Sequence, residues 1–178
     1  EHVDGLLDQV ESVRHADYHQ AILIASEAHR IAVEANYHRG VAKSLYHIAD
    51  GYLRLGNYAS ASTPAQQALM TARENSLAIE EAYALSSLGA VYDYLGDQAE
   101  AMHLFFQQLE IAQQHHHLTL MGYAFGDLGS LYLRSDDCKQ GLELIEKSNQ
   151  IFDELGHEEE KYIWYFDVGG FYMRDGNF

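Results

Sequence analysis

With 178 residues, 47% of them apolar, and a net charge of −16, the chain can bury a substantial core but repels phosphate backbones and anionic lipid surfaces. Seven Val, nine Ile and three Thr are few beside the abundant Ala, Leu, Glu and Gln, which excludes a sheet protein and points to an all-α one. No run approaches the roughly 18 consecutive apolar residues of a membrane span, no basic-then-apolar leader opens the chain, and a single cysteine, Cys138, excludes an internal disulfide framework.

The chain repeats itself without gaps, at a period of about 40 residues. Residues 1–15 read as a degenerate first helix, since Asp8, Gln9 and Ser12 break the pattern, and a second helix at about 17–36 completes a first repeat over 1–39. First helices follow at about 40–55, 80–95 and 120–135, and second helices at about 57–76, 97–116 and 137–156, making full repeats of 40–79, 80–119 and 120–159. A first helix at about 160–175 begins a repeat over 160–178 that stops mid-motif at Gly176-Asn177-Phe178, and with no Met at position 1 a fragment of a longer protein is expected.

Five columns carry the repeat. Ile48, Leu88, Leu128 and Val168 align, followed by Ala49, Gly89, Gly129 and Gly169, then by Tyr52, Tyr92, Tyr132 and Tyr172. Asp17, Asn57, Asp97, Asp137 and Asn177 share a column, with Ala21, Ala61, Ala101 and Gly141 four residues on. The small residue at 49, 89, 129 and 169 predicts close approach of the two helices of a hairpin against the Ala or Gly at 21, 61, 101 and 141. The tyrosine one turn on fills the wider space beside that contact and seeks a hydrogen bond. Leu55-Gly56-Asn57 and Leu95-Gly96-Asp97 predict tight turns in which Gly takes the left-handed backbone and the next residue caps the following helix. Ser135-Asp136 predicts either a looser turn or a left-handed Asp136.

Other features read as structural. Pro64 lies inside a second helix, where it removes a donor and crowds the Ser60 carbonyl, so a bend or a restart capped by Thr63 is expected. His115, His116 and His117 end a helix and point too far apart to converge on a metal, and Cys138 has no ligand partner at suitable spacing. No phosphate-binding glycine loop, nucleophile elbow or His-Glu zinc helix occurs, so neither enzymatic chemistry, nor a cofactor, nor a metal is expected.

Leu88, Gly89, Tyr92, Gly96, Ala101 and Phe105 resemble the tetratricopeptide repeat (TPR) family in a 40-residue form, over nearly the whole chain. The departures are Leu45, Leu85, Phe125 and Tyr165 in the column of the family's early aromatic, and a late second-helix Ala surviving as Ala68. The resemblance implies a right-handed α-α superhelix of helix-turn-helix hairpins, whose first helices line a concave groove that holds a peptide or partner helix. Carried over column by column, it places Lys43, Tyr83, Tyr123 and Ile163 in one row and His47, Ser87, Asp127 and Asp167 in a second. Asp50, Ala90, Ser130 and Gly170 form a third row, and Arg54, Tyr94, Arg134 and Arg174 a fourth. The family's clamp for chaperone C-terminal carboxylates needs Asn where this chain has Asp50, Ala90, Ser130 and Gly170, so that specialised role is not expected. The repeated arginines either pair with Asp50, Asp93, Asp127 or Asp167 to hold neighbouring repeats together, or meet a ligand directly.

The function expected is non-catalytic binding of a protein or peptide in the cytoplasm, with no nucleic acid and no membrane as partner. The alternative is a ligand-sensing segment of a larger bacterial signalling protein, like 40-residue arrays beside DNA-binding, kinase or cyclase domains. A homodimer through the open apolar face of the last helix, which carries Ile163, Trp164, Phe166, Phe171 and Met173, is expected as well.

Overall fold

The computed structural model describes residues 1–135, 137–157, 160, 164, 168–170, 172 and 173. It contains α1 (His2–Val13), α2 (Tyr18–Glu34), α3 (His38–Arg54), α4 (Tyr58–Glu74), α5 (Ala78–Tyr94), α6 (Gln98–Gln114), α7 (Leu118–Arg134) and α8 (Cys138–Leu155). No strand occurs among the described residues. The first helix expected at 160–175 lies mostly outside the described residues, as does Asp136. The chain divides into two compact units, Glu1–Asp97 with α1–α5 and Gln98–Phe178 with α6–α8.

Each of the helices α2 to α7 has 17 residues. Short turns of equal length join them, so the backbone recurs at every helix and the side-chain pattern at every second one. One device ends α2 to α6 and α8. At Asn36, Gly56, Ser76, Gly96, His116 and Gly156 the backbone turns left-handed, with φ between 51° and 86°. The next residue's N–H then reaches back five residues, as from Asn57 to the Tyr52 carbonyl at 2.8 Å and from Leu77 to that of Ala72 at 2.9 Å. Those two bonds satisfy carbonyls that the helix ends leave open. The sequence points to this device only at the glycines. Between hairpins the same turn is made by Asn36, Ser76 and His116, where no glycine announces it.

The predicted cap forms at Asn57, whose side chain accepts from the backbone N–H of Ser60, and Asp17 and Asp137 of the same column accept likewise from Gln20 and Gln140. The histidine run is the turn itself rather than a helix end: His116 takes the left-handed backbone and His117 Nδ1 accepts from Leu120 N–H. Pro64 is buried within an uninterrupted α4, and no restart at Thr63 occurs.

Small residues set the packing. In the N-terminal unit α1 lays Val3 and Leu7 on Ala28 and Ala32 of α2, and Val10 on Ala21 and Ala25. The buried stripe of α3 is instead Ala42, Leu45 and Ala49. The α1 stripe is thus displaced by about one residue, roughly 100° of helix rotation, from the register of the repeat. That turn leaves His2, Gly5, Gln9 and Ser12 in solvent, so the end helix shows a polar outer face.

In the C-terminal unit α7 and α8 touch backbone to backbone. A Cβ on Gly141 would lie 2.9 Å from the Gly129 carbonyl oxygen and 2.8 Å from Leu133 N. The expected joint between columns 129 and 141 is therefore present, too close for a side chain on either residue. Tyr52, Tyr92 and Tyr132 are half-buried.

Two measurements check this reading. Ser76→Gly removes a left-handed strain of about 1–2 kcal/mol, less the added chain entropy of glycine, and is expected to raise stability by about 0.5–1 kcal/mol in urea unfolding. Gly141→Ala forces a methyl group between two backbones and is expected to lower it by about 1–3 kcal/mol, although alanine is the better helix former.

Candidate protein-interaction face

In the N-terminal unit α3 packs against α1, α2, α4 and α5, so the first helices α1, α3 and α5 lie side by side. The residues expected to line the groove separate into three kinds there. Lys43 is exposed and Tyr83 half-buried, its ring 4.8 Å from that of Tyr46 on α3. Tyr94 is 61% exposed, its ring lying flat on that of Tyr58 with planes 16° apart. Asp50 and Arg54 are part-buried and bond to each other, Arg54 Nε donating to Asp50 Oδ1 at 3.3 Å. His47 and Ser87, by contrast, are buried, because their column faces the neighbouring first helix instead of solvent. Neither offers a partner an open surface in this state.

One of the expected pairs, Arg54 with Asp50, forms, and a further arginine of the same column reaches across repeats. Arg54 closes on its own helix, four residues back, whereas Arg14 of the α1–α2 turn spans two repeats. Its Nε lies 2.9 Å from Glu11 Oε2, a close ion pair without hydrogen-bond alignment, and its Nη1 lies 3.9 Å from Asp50 Oδ2. Arg14 stands one repeat before Arg54, so the column itself was legible. What hid its first member was the degenerate pattern of α1. A second tie, Arg39 Nε to the buried Glu80 at 3.1 Å, joins the starts of α3 and α5.

In the C-terminal unit α7 places Tyr123 half-buried against the rings of Phe152, 5.3 Å away, and Trp164, 6.3 Å away. The Trp164 indole N–H donates to Asp127 Oδ1 at 3.2 Å, and its ring covers Gly126, where a Cβ would collide with it. Ser130 is buried and Arg134 is exposed. Asp167 and Arg174, together with Ile163, Phe166 and Phe171, lie outside the described residues. Trp164, counted on the open face of the last helix, is 3% exposed and belongs to this unit's own core, whereas Met173 is 65% exposed. Among the described residues no group of three His, Cys, Asp or Glu is placed to hold a metal ion, and no helix is long and apolar enough to cross a membrane.

No family model and no curated protein matches the sequence. Solved structures do match the fold. BtubC (BKLC) from P. vanneervenii superposes with a TM-score of 0.71 at 21% identity, over 99% of this chain and 75% of that one. A Podosopora anserina protein of nearly identical TPR-like repeats, provisionally assigned as a kinesin light chain, superposes with a TM-score of 0.65 at 14% identity, over 98% and 87%. A point variant of that protein gives 0.66 at the same identity. The chain has the TPR-like fold.

Within that fold the first-helix columns are not equivalent. The column of Lys43, Tyr83 and Tyr123 and that of Arg54, Tyr94 and Arg134 remain wholly or partly accessible, while that of His47 and Ser87 turns inward. A repeat pattern identifies columns, but the tilt of each TPR hairpin on the next decides which column stays wet.

Trp164→Ala removes an indole packed on Gly126, Tyr123 and Phe152. It is expected to destabilise the chain by about 3–5 kcal/mol, read from the urea midpoint.

Proposed function

We propose that the chain is a non-catalytic protein-interaction module that holds a peptide or a partner helix against the accessible columns of its first helices. What carries this reading is the association, on one helix-built face of the N-terminal unit, of aromatic rings with a charged pair: Tyr83 beside Tyr46, Tyr94 on Tyr58, and Arg54 with Asp50. Tyrosine and arginine suit such a role, since each combines a large contact area with directed hydrogen bonding. The face is set on rigid elements, with Tyr94 in the last turn of a helix whose end is fixed by its turn hydrogen bonds. Lys43 adds an exposed charge to the same unit, and in the C-terminal unit Tyr123 and Arg134 hold the equivalent columns. A TPR-like scaffold supports the assignment, since it presents one side-chain column repeatedly to an extended partner.

A pull-down from the native cell, with bound chains identified by mass spectrometry, supplies the partner for the decisive measurement. Tyr94→Ala combined with Arg54→Ala is expected to weaken that partner's binding by about 1–4 kcal/mol in isothermal calorimetry, with the far-ultraviolet circular dichroism unchanged. Full affinity in the double variant would move the binding surface to the second helices or the turns.

A further inference from the structure

Beneath α1 lies a polar group that neither the fold nor the interaction face requires. His47 of α3 is 4% exposed, its Nε2 is 3.5 Å from Glu11 Oε1, and its Nδ1 has no hydrogen-bond partner. The charged groups around it belong to two helices: Glu11 and Arg14 from the α1 side, Asp50 and Lys43 from α3 itself. The other helices packed on α3 direct their charges elsewhere. Arg30 of α2 is paired with Glu27 and Glu34 in solvent. The charges of α4 lie in its last turn, where Arg73 meets Glu81 of α5, and Glu80 of α5 pairs with Arg39.

We propose that His47 is a proton-operated latch, and that acidification toward pH 5 releases α1 from α3 while the hairpins behind it stay folded. An imidazolium has two N–H groups to satisfy. With α1 docked, one of them faces only Glu11, the other faces nothing, and the Asp50 carboxylate is already engaged by Arg54 and Arg14. Releasing α1 hydrates the ring, so the charged form is better accommodated in the open state than in the closed one.

Burial is the dominant influence and holds the His47 ring down to about 4, with Arg14 and Lys43 acting in the same direction and Glu11 and Asp50 against it. In the open state the ring returns to its ordinary value near 6.5. Between those values the open state binds a proton that the docked state does not. Docking therefore weakens as pH falls from about 6.5 to about 4 and levels off below that. From pH 7 to pH 5 the docking constant falls about twenty-fold by this linkage.

Helix α1 is the element best suited to leave alone. It is held by a stripe of Val3, Leu7 and Val10 and by the Tyr37 hydroxyl donating to Asp4 at 3.0 Å, and among the described residues its main packing is on α2 and α3. Its departure bares Ala28 and Ala32, together with the side of α3 that carries His47.

Amide hydrogen exchange of the intact chain at pH 7 and pH 5, corrected for the intrinsic pH dependence of exchange, tests the latch. Protection of α1 is expected to fall about twenty-fold while α4 and α5 keep theirs, and the fall is expected to vanish in His47→Gln. Undiminished α1 protection at pH 5 overturns the proposal, as do equal losses across α4 and α5 or a loss that persists in His47→Gln. A second imidazole, that of His29, is also held below its ordinary value by burial, and it lies 3.3 Å from Ser44 between α2 and α3. His29→Gln is therefore expected to leave the α1 response intact, and abolition of the response by that change transfers the latch away from His47. Should His47→Gln not fold, the ring signal of His47 in the wild-type chain decides by nuclear magnetic resonance: titration well below pH 6 sustains the latch, and a midpoint near 6.5 with α1 still protected sinks it.

Discussion

Close approach of helices at Ala and Gly is the constraint on which the rest of this molecule depends. A pair of 17-residue helices has too little apolar surface to fold by itself, so it must bury one face on its partner and another on its neighbour. Dispersion and hydrophobic gain both fall off steeply with separation, and only small residues let backbones come near enough. That is why Ala25, Ala28, Ala32, Ala65, Ala68 and Ala72 are completely buried, and why the tightest joint is made by Gly129 and Gly141. Where the column departs from alanine, the buried replacement bonds to backbone: Gln108 Nε2 donates to the Leu120 carbonyl and Ser148 Oγ to that of Gly122.

The turns convert that packing into a strict period. Each helix from α2 to α6 ends in a left-handed residue one position before the cap of the next, so length and register recur together. A sloppier turn would let successive helices differ in length, and the small-residue columns would then miss one another. Glycine makes the left-handed conformation easy at 56 and 96, but Asn36, Ser76 and His116 adopt it too. At those sites the turn hydrogen bonds and the packing of the flanking helices outweigh the local preference.

The candidate interaction face is a by-product of the same geometry. In the N-terminal unit the column facing the adjacent first helix holds small or neutral polar groups, such as Ser87, whereas the columns beside it keep tyrosines and arginines partly in water. Burial at the first of these helices leads to a different outcome. Because α1 is rotated out of register, the charge pair of Glu11 and Arg14 and the buried His47 meet at the α1–α3 boundary, a combination found at neither α5 nor α7 among the described residues.

The type and limits of α1 to α8 were legible in the residues, as were the cap at Asn57 and the joint between columns 129 and 141. These depend on interactions spanning a few residues, or on a pattern that repeats without change. The glycine-free turns, the rotation of α1, the burial of His47, Ser87 and Ser130, and the part of Arg14 in linking two repeats were not. Periodicity assigns a side chain to a face of its own helix. Whether that face meets water or another helix is set by the angle and rotation at which helices pack, and those depend on side chains far apart in the chain.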